Sequence, residues 1–382
     1  MSDPLTFNVL LTSAIAFLVV VLLIMPVRKL ARLSGIVDKP GGRKKHEKAI
    51  PPVGGIIIFT TFMVLGLWFE YVNIHKYWSL YSALILLLTV GALDDQFHIP
   101  AKIKMVVHIL AAALISFWGN VQAAYLGDLF GMGVVWTGFL SYPFTITAIV
   151  LLINAMNLMD GMDGLVGGTS VVIFGWFIVA CVAAGWYDYV HVLALLVACL
   201  CGFLVFNMRN PLRRRASLFL GDAGSMSVGL TIAWFSVLLA RNPSAPLEPI
   251  VVAWIIGFPI FDTCAQFYRR VSNGKHPFAP DRGHFHHHFI DAGIPVRYAS
   301  VIIISLIAVM GGIGYFGAAL GVPLVVLTVV WIIMLLAHIL MSKKPERYVR
   351  LIKKLFSAFV MPSRDELDKT SHDAIKGCVD KG

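Results

Sequence analysis

The sequence predicts an all-α, polytopic membrane protein. Of its 382 residues, 58% are hydrophobic and only 14% are charged, whereas soluble domains are roughly 45–50% apolar and about 25% charged. Apolar stretches recur along the chain with no soluble domain between them. Lys and Arg gather in alternate connections, as the positive-inside rule requires. The mean hydropathy of +0.80 agrees. A net charge of +10 suits anionic headgroups or phosphorylated substrates. No basic, aromatic-interleaved soluble region is present to hold nucleic acid.

A helix needs about 20 apolar residues to cross the hydrocarbon core, and about eleven stretches qualify. They lie near 7–27, 53–72, 79–93, 103–120, 139–158, 166–186, 190–207, 224–240, 248–268, 298–318 and 322–341. The first has no basic region before it and is too long for a signal peptide, so it reads as a retained span. The stretch at 79–93 is short for a crossing. Residues 121–138 alternate aromatic residues and Gly, which suits a small hairpin outside the membrane. Four of the five Cys fall in or beside apolar spans and read as small core residues.

Of the 31 Lys and Arg residues, all except Lys76 and Arg241 fall on one side of this arrangement. That side is cytoplasmic. The N-terminus is then outside and the C-terminus inside, which an odd number of spans allows. Residues 1–342 form an integral membrane domain, and 343–382 form a basic tail. In the tail, Tyr348, Leu351, Ile352, Leu355 and Phe359 recur at helical spacing among Lys and Arg. This suits an amphipathic helix on the inner membrane surface, and equally a solvated basic tail.

The unusual polar residues collect on the cytoplasmic side. Acidic residues at a membrane boundary are costly, so several on one face suggest a shared site. Asp94 and Asp95 end the third stretch. Adjacent like charges persist most easily beside a cation, and Lys102 and Lys104 follow closely enough to receive a phosphate. Alone, the pair also fits a solvated helix end. The stretch 154–165, N-A-M-N-L-M-D-G-M-D-G-L, ends an apolar run with Asn154 and Asn157 on one helical face and Asp160 and Asp163 beyond it. Such hard oxygen ligands suit Mg²⁺, commonly held by one or two carboxylates plus substrate phosphates. The sequence F-L-G-D-A-G-S at 219–225 opens the eighth stretch. Its glycines and helix N-terminus suit a phosphate, and Asp222 reads as a metal ligand or a helix N-cap. Asn207 and Arg213–Arg215 lead into it. The loop 275–291 carries Arg282, His284, His286, His287 and His288. The spacing is not a standard zinc pattern, and phosphate contact fits the basic setting better. Asp262, just after Pro259, either faces the same site or supports a kink.

In this order, the clusters resemble the polyprenyl-phosphate N-acetylhexosamine-1-phosphate transferase family, in its N-acetylglucosamine branch. The matching pieces are D-K-P-x-x-R-K-x-H (38–46), I-P-x-x-G-G (50–55), G-A-L-D-D (91–95), N-x-x-N-x-x-D-G-x-D-G-L, F-x-G-D-x-G-S and P-F-x-P-D-R-x-H-x-H-H (277–287). Many members carry a further acid after the paired Asp, where this chain reads Asp94-Asp95-Gln96-Phe97-His98, so no role is assigned to His98.

The resemblance implies transfer of N-acetylglucosamine-1-phosphate from UDP-GlcNAc to undecaprenyl phosphate, yielding undecaprenyl diphosphate-GlcNAc and UMP. It implies the bacterial inner membrane, an early step of a cell-envelope polysaccharide, and Mg²⁺, which Mn²⁺ can replace. A homodimer is compatible with it. By motif match, Asp222 and Asn157 are metal ligands supported by Asn154. Asp160, Asp163, Asn207 and Lys48 meet the nucleotide-sugar. Asp94 and Asp95 position or deprotonate the lipid phosphate held by Lys104, and Arg282, His284, His286 and His287 bind the diphosphate. The same chemistry on UDP-MurNAc-pentapeptide or another UDP-N-acetyl amino sugar is the nearest alternative. A secondary transporter is the alternative of another class, but it would place its ionisable groups near the bilayer midplane.

Overall fold

The computed structural model describes residues 4–38, 49–71, 73–211, 213, 215–276 and 283–359. Each of the eleven apolar stretches is helical. The first seven helices are α1 (Pro4–Leu33), α2 (Gly54–Trp68), α3 (Ile74–Phe97), α4 (Ala101–Ala113), α5 (Ser141–Met159), α6 (Leu165–Ala183) and α7 (Tyr187–Asn207). They are followed by α8 (Gly221–Leu238), α9 (Pro249–Ile255), α10 (Gly257–Ser272), α11 (Phe285–Asp291), α12 (Val296–Ala319), α13 (Leu324–Ser342) and α14 (Pro345–Leu355). Among the described residues, eight helical spans are long and apolar enough to cross a membrane, or nine if α9 and α10 count as one. The protein is a multi-pass membrane protein.

Three elements depart from the sequence reading. The short stretch at 79–93 is part of a 24-residue helix, because α3 begins earlier, at Ile74, where the Asn73 side chain accepts the His75 N–H. The stretch at 53–72 gives only the 15-residue α2. The stretch at 248–268 is not one straight span: α9 and α10 meet at a 73° bend. Gly257 and Pro259 fall in the first turn of α10, where Pro is tolerated because its missing N–H has no helical partner. Past the bend, α10 buries Asp262, Gln266 and Arg270 on one face, a load that hydrocarbon does not accept without partners.

The core is organised around α8, which packs against α2, α3, α5 and α6. Sixteen of its residues are buried. Hydrocarbon offers helices no hydrophobic drive to associate, so close approach through small residues substitutes for it. A Cβ at Gly55 would meet the backbone of Gly224, and one at Gly91 the backbone of Ala223. Backbone pairing extends the contact. Gly54 and Gly55 donate to the carbonyls of Phe219 and Leu220 at 2.9 and 2.8 Å, and Phe219 donates to Pro51 at 3.0 Å. The I-P-x-x-G-G and F-x-G-D motifs are therefore one structural unit. Asp38 and Ile50 form a further backbone bridge.

The remaining helices wrap this centre, with α1 and α6 against α7, α9 against α12, and α10 against α13 and α5. At one end, β1 (Tyr125–Gly127) and β2 (Val135–Trp136) pair antiparallel, forming the expected hairpin. The tail includes the expected short helix, α14.

Candidate active site

The turn between α3 and α4 sets the first side of the site. His98 ends α3 in the left-handed region at φ 56°, its N–H bonded to the Asp94 carbonyl, and Pro100 precedes α4. The tight reversal lets the Ile99 N–H donate to Asp94 Oδ1 at 2.6 Å and Lys104 Nζ to Asp94 Oδ2 at 2.7 Å. Lys104 reaches across to α8 as well, 3.1 Å from Asp222 Oδ2. Asp222 Oδ1 accepts from Asn157 Nδ2 of α5 at 3.2 Å, and Asn157 also meets Ser225 Oγ at 3.0 Å. One ammonium thus joins two carboxylates, with an amide closing the far side. Asp94 is buried at 6%, whereas the Asp222 side chain is 34% exposed. Asp222 therefore presents the open face.

Asp95 takes a different part. Its Oδ1 accepts the Asp222 N–H at 2.9 Å, and its Oδ2 lies 3.4 Å from the Ala223 nitrogen. A carboxylate here satisfies the orphan amides and positive end of α8, although it comes from another helix. Gly221 precedes this turn at φ +79°, and a Cβ there would meet both Asp95 and the Pro52 carbonyl. The paired acids are therefore divided: Asp94 holds Lys104, and Asp95 holds the turn that carries Asp222.

One helical turn into the bundle lies a second layer. His108 of α4 is buried, with Nε2 3.0 Å from Met226 Sδ and Nδ1 3.3 Å from Asn154 Nδ2. Asn154 also donates to the Val150 carbonyl at 2.7 Å. Asn154 thus underlies the site, its amide nitrogen turned to His108 and the Val150 carbonyl rather than to Asp222.

Asp163 and Asn207 tie loops together. Asp163 Oδ2 accepts from Arg209 Nε at 2.6 Å and from the Ala216 N–H at 3.3 Å, while its carbonyl accepts from Ser300 Oγ at 2.8 Å. Asn207 is buried. It accepts the Gly164 N–H at 2.8 Å and donates to the Leu218 carbonyl at 2.9 Å. With a bond at each end of its amide, Asn207 latches the 160–164 turn to the approach to α8. Asp160 remains solvent-exposed at the end of α5. Surrounding protein and the carboxylates of Asp222, Asp95 and Asp163 raise its pKa well above the ordinary value.

The His segment closes another side. Asp262 of α10 accepts from the Phe285 N–H at 2.9 Å and lies 2.9 Å from His284 Nδ1, while His284 Nε2 is 3.3 Å from Arg270. Asp262 therefore caps α11 and orients His284. His286 is 3% exposed, packs against Gly161, and both its ring nitrogens lack a hydrogen-bond partner. Burial, with His287 adding to it, pushes its pKa down to about 3. The neutral ring is thus an unsatisfied donor and acceptor beside the 160–164 turn. The His287 ring lies tilted against it, at 4.3 Å between centroids. Lys48 and Arg282 lie outside the described residues.

Comparison with known proteins gives the family. Residues 77–240 match the family described as glycosyl transferase family 4. An undecaprenyl-phosphate alpha-N-acetylglucosaminyl 1-phosphate transferase of Escherichia coli O157:H7 is 34% identical over 89% of this chain and 92% of its own length. Proteins of the same name are 34% identical in Yersinia pestis, over 86% of this chain and 89% of theirs, and 32% identical in Haemophilus influenzae, over 81% and 86%. The chain belongs to the polyprenyl-phosphate N-acetylhexosamine-1-phosphate transferase family.

As a member of this family, the chain is a transferase, and its clustered residues have the chemistry for phosphoryl transfer, which asks mainly for positioning and charge neutralisation. Among the described residues, no group of three His, Cys, Asp or Glu side chains forms a complete metal cage. The donor set at Asp222 and Asn157 nevertheless fits Mg²⁺, which rarely uses an all-protein cage and is completed by substrate phosphates and water. Lys104, drawn against two carboxylates, shows that this position favours positive charge.

Ser225 closes the F-x-G-D-x-G-S motif, whereas His108 and Arg209 were not picked out from the sequence. His108 and Ser225 lie one helical turn beyond Lys104 and Gly221, on the same faces. His108 is readable as an ionisable residue inside an apolar span. Arg209 had no distinguishing signal.

Proposed function

We propose that the chain transfers N-acetylglucosamine-1-phosphate from UDP-GlcNAc to undecaprenyl phosphate, with release of UMP, at the cytoplasmic face of a bacterial inner membrane. The step would begin a cell-envelope polysaccharide. The observation that carries the reading is the Lys104 bridge between Asp94 and Asp222 beside Asn157, in a chain homologous over most of its length to transferases of that name.

Lys104 receives the acceptor phosphate, and Asp94 holds the lysine in place. Asp95 fixes the Gly221–Asp222 turn. Asp222 and Asn157 would hold Mg²⁺, or Mn²⁺ in its place. When bound, the ion neutralises charge on the donor diphosphate and its leaving group. An acceptor oxygen attacks the sugar-bearing phosphorus, and the bond from that phosphorus to UMP breaks. A phosphate monoester is largely dianionic near neutral pH, so the attack needs no strong base. The oxygens of Asp94 and Asp95 are already engaged with protein donors, which favours direct attack over a covalent aspartyl intermediate. Asp160 faces the nucleotide across the cleft. His286, with His284 and His287 beside it, gives the donor diphosphate hydrogen-bonding partners, and Lys48 and Arg282 join them by motif match. The polar groups meet at the helix ends, an arrangement that suits a transferase better than a transport pathway.

The substrate assignment is tested with purified protein, Mg²⁺, undecaprenyl phosphate and a panel of UDP-sugars, scored by UMP release. UDP-GlcNAc should turn over fastest. Turnover of UDP-MurNAc-pentapeptide in its place would move the protein to that branch of the chemistry.

A further inference from the structure

We propose that α14 is a docking surface for anionic lipid headgroups and that it transmits their binding to the His-bearing helix α11. The reading of α14 as an interfacial element begins with its outer surface. Arg347, Arg350, Lys353 and Lys354 are all exposed, and Glu346 is the one acid in the helix. Leu351 and Leu355, spaced i,i+4, are exposed at 41% and 64%, and Phe359 just beyond at 40%. Cationic side chains flanking an exposed apolar strip match an anionic bilayer surface, where each Lys or Arg adds to attraction and the strip enters the acyl boundary.

The inner face does something a free surface helix does not. Tyr348 and Ile352 are buried at 6% and 3%, one helical turn apart. The Tyr348 ring stacks on His288 at 5.4 Å with a 10° interplanar angle and meets Phe285 edge-on at 5.3 Å. Its hydroxyl lies 2.8 Å from His338 Nδ1 of α13. Phe356 packs on Phe289 at 5.8 Å. Phe285, His288 and Phe289 all belong to α11, as does the unsatisfied His286. The seven-residue α11 is too short to hold its own shape in isolation. Its position depends on the Asp262 cap at one end, on α12, and on α14 behind it. A headgroup layer that pins α14 therefore also fixes the helix that lines the cleft.

The test uses the full chain in vesicles of phosphatidylcholine alone and of phosphatidylcholine with phosphatidylglycerol. Hydrogen exchange of Phe285–Asp291 reads the coupling without reference to activity. Turnover of UDP-GlcNAc reads its consequence and rests on the functional reading above. Anionic lipid should slow exchange across α11 and raise turnover several-fold, both effects fading at high salt. Arg347→Gln/Arg350→Gln/Lys353→Gln/Lys354→Gln should keep the activity seen in neutral lipid and lose both responses. Tyr348→Ala should keep lipid binding, measured in the full chain as slower hydrogen exchange of Arg347–Leu355 in anionic than in neutral vesicles, and lose the protection of α11. Tyr348→Phe should retain it through the ring. Equal exchange of α11 in the two lipids, or a quadruple variant that responds like the parent, overturns the proposal. Protection of α11 without turnover of UDP-GlcNAc leaves the coupling standing and rejects the substrate assignment instead.

Discussion

At the scale of single residues, the two adjacent acids have separable duties. Asp222→Ala should lower kcat by about 10²-fold or more, the size of loss seen when one charge-stabilising group is removed. Lys104→Ala should weaken turnover and acceptor affinity together. Asp94→Asn should cost less than Lys104→Ala, because the lysine keeps its contact with Asp222. Asp95→Ala should show up first in stability, at about 1 kcal/mol for a lost helix cap, measured by thermal unfolding in detergent. The buried imidazoles give a pH signature. His286 is held near 3 and His288 near 4, both chiefly by burial, against an ordinary value of 6.5. The unfolded chain therefore takes up protons first as pH falls, and the folded state loses stability from about pH 6.5 downward until these sites protonate in place. Melting temperatures between pH 7 and pH 4 should fall less steeply in His288→Phe than in the parent. Identical slopes would remove His288 from the account.

At the scale of elements, the site is made by helix ends that small residues bring together. Gly55→Val and Gly91→Val force a side chain into the backbone of α8. Each should cost about 1–3 kcal/mol as an overpacking change, whereas Gly175→Ala, with open space around it, should be neutral or stabilising. Asn207→Leu would strand the Gly164 N–H and the Leu218 carbonyl, at about 1–3 kcal/mol. If Asn207 is a latch and not a nucleotide contact, the KM for UDP-GlcNAc of the folded variant should stay within about twofold of the parent, since uniform binding is unchanged. These elements also show what was readable beforehand. Helix positions followed from apolar length, because hydrocarbon demands it. The bend between α9 and α10 did not, because apolar content alone cannot separate a straight span from a broken one. The motif stretch 154–165 was readable as a polar cluster, but which partner each of its side chains meets was not. Asn154, Asn157, Asp160 and Asp163 have similar chemistry, and only their neighbours decide which face the cleft. His108, Arg209 and Ser300 supply those neighbours from distant parts of the chain.

At the scale of the whole molecule, the proposed function would join a water-borne nucleotide to an acceptor that lives in the bilayer. The paired acids, Lys104, Asn157 and Asp222 meet at one end of the bundle, where α3, α4, α5 and α8 end or begin. The α11–α14 layer joins this end through His286, which packs against Gly161. This explains why a phosphotransferase is built from membrane spans rather than from a soluble domain. Removing divalent cations with a chelator should stop turnover, and Mg²⁺ or Mn²⁺ should restore it, while Ca²⁺, larger and less demanding of octahedral geometry, should restore less. The central claim is that the Lys104–Asp222–Asn157 cluster is where sugar phosphate passes to lipid. It is tested most directly in proteoliposomes supplied with undecaprenyl phosphate, Mg²⁺ and radiolabelled UDP-GlcNAc, comparing the parent with Asp222→Ala. The account predicts a labelled lipid and equimolar UMP from the parent and almost none from the variant; no labelled lipid from the parent, or undiminished product from Asp222→Ala, would contradict it.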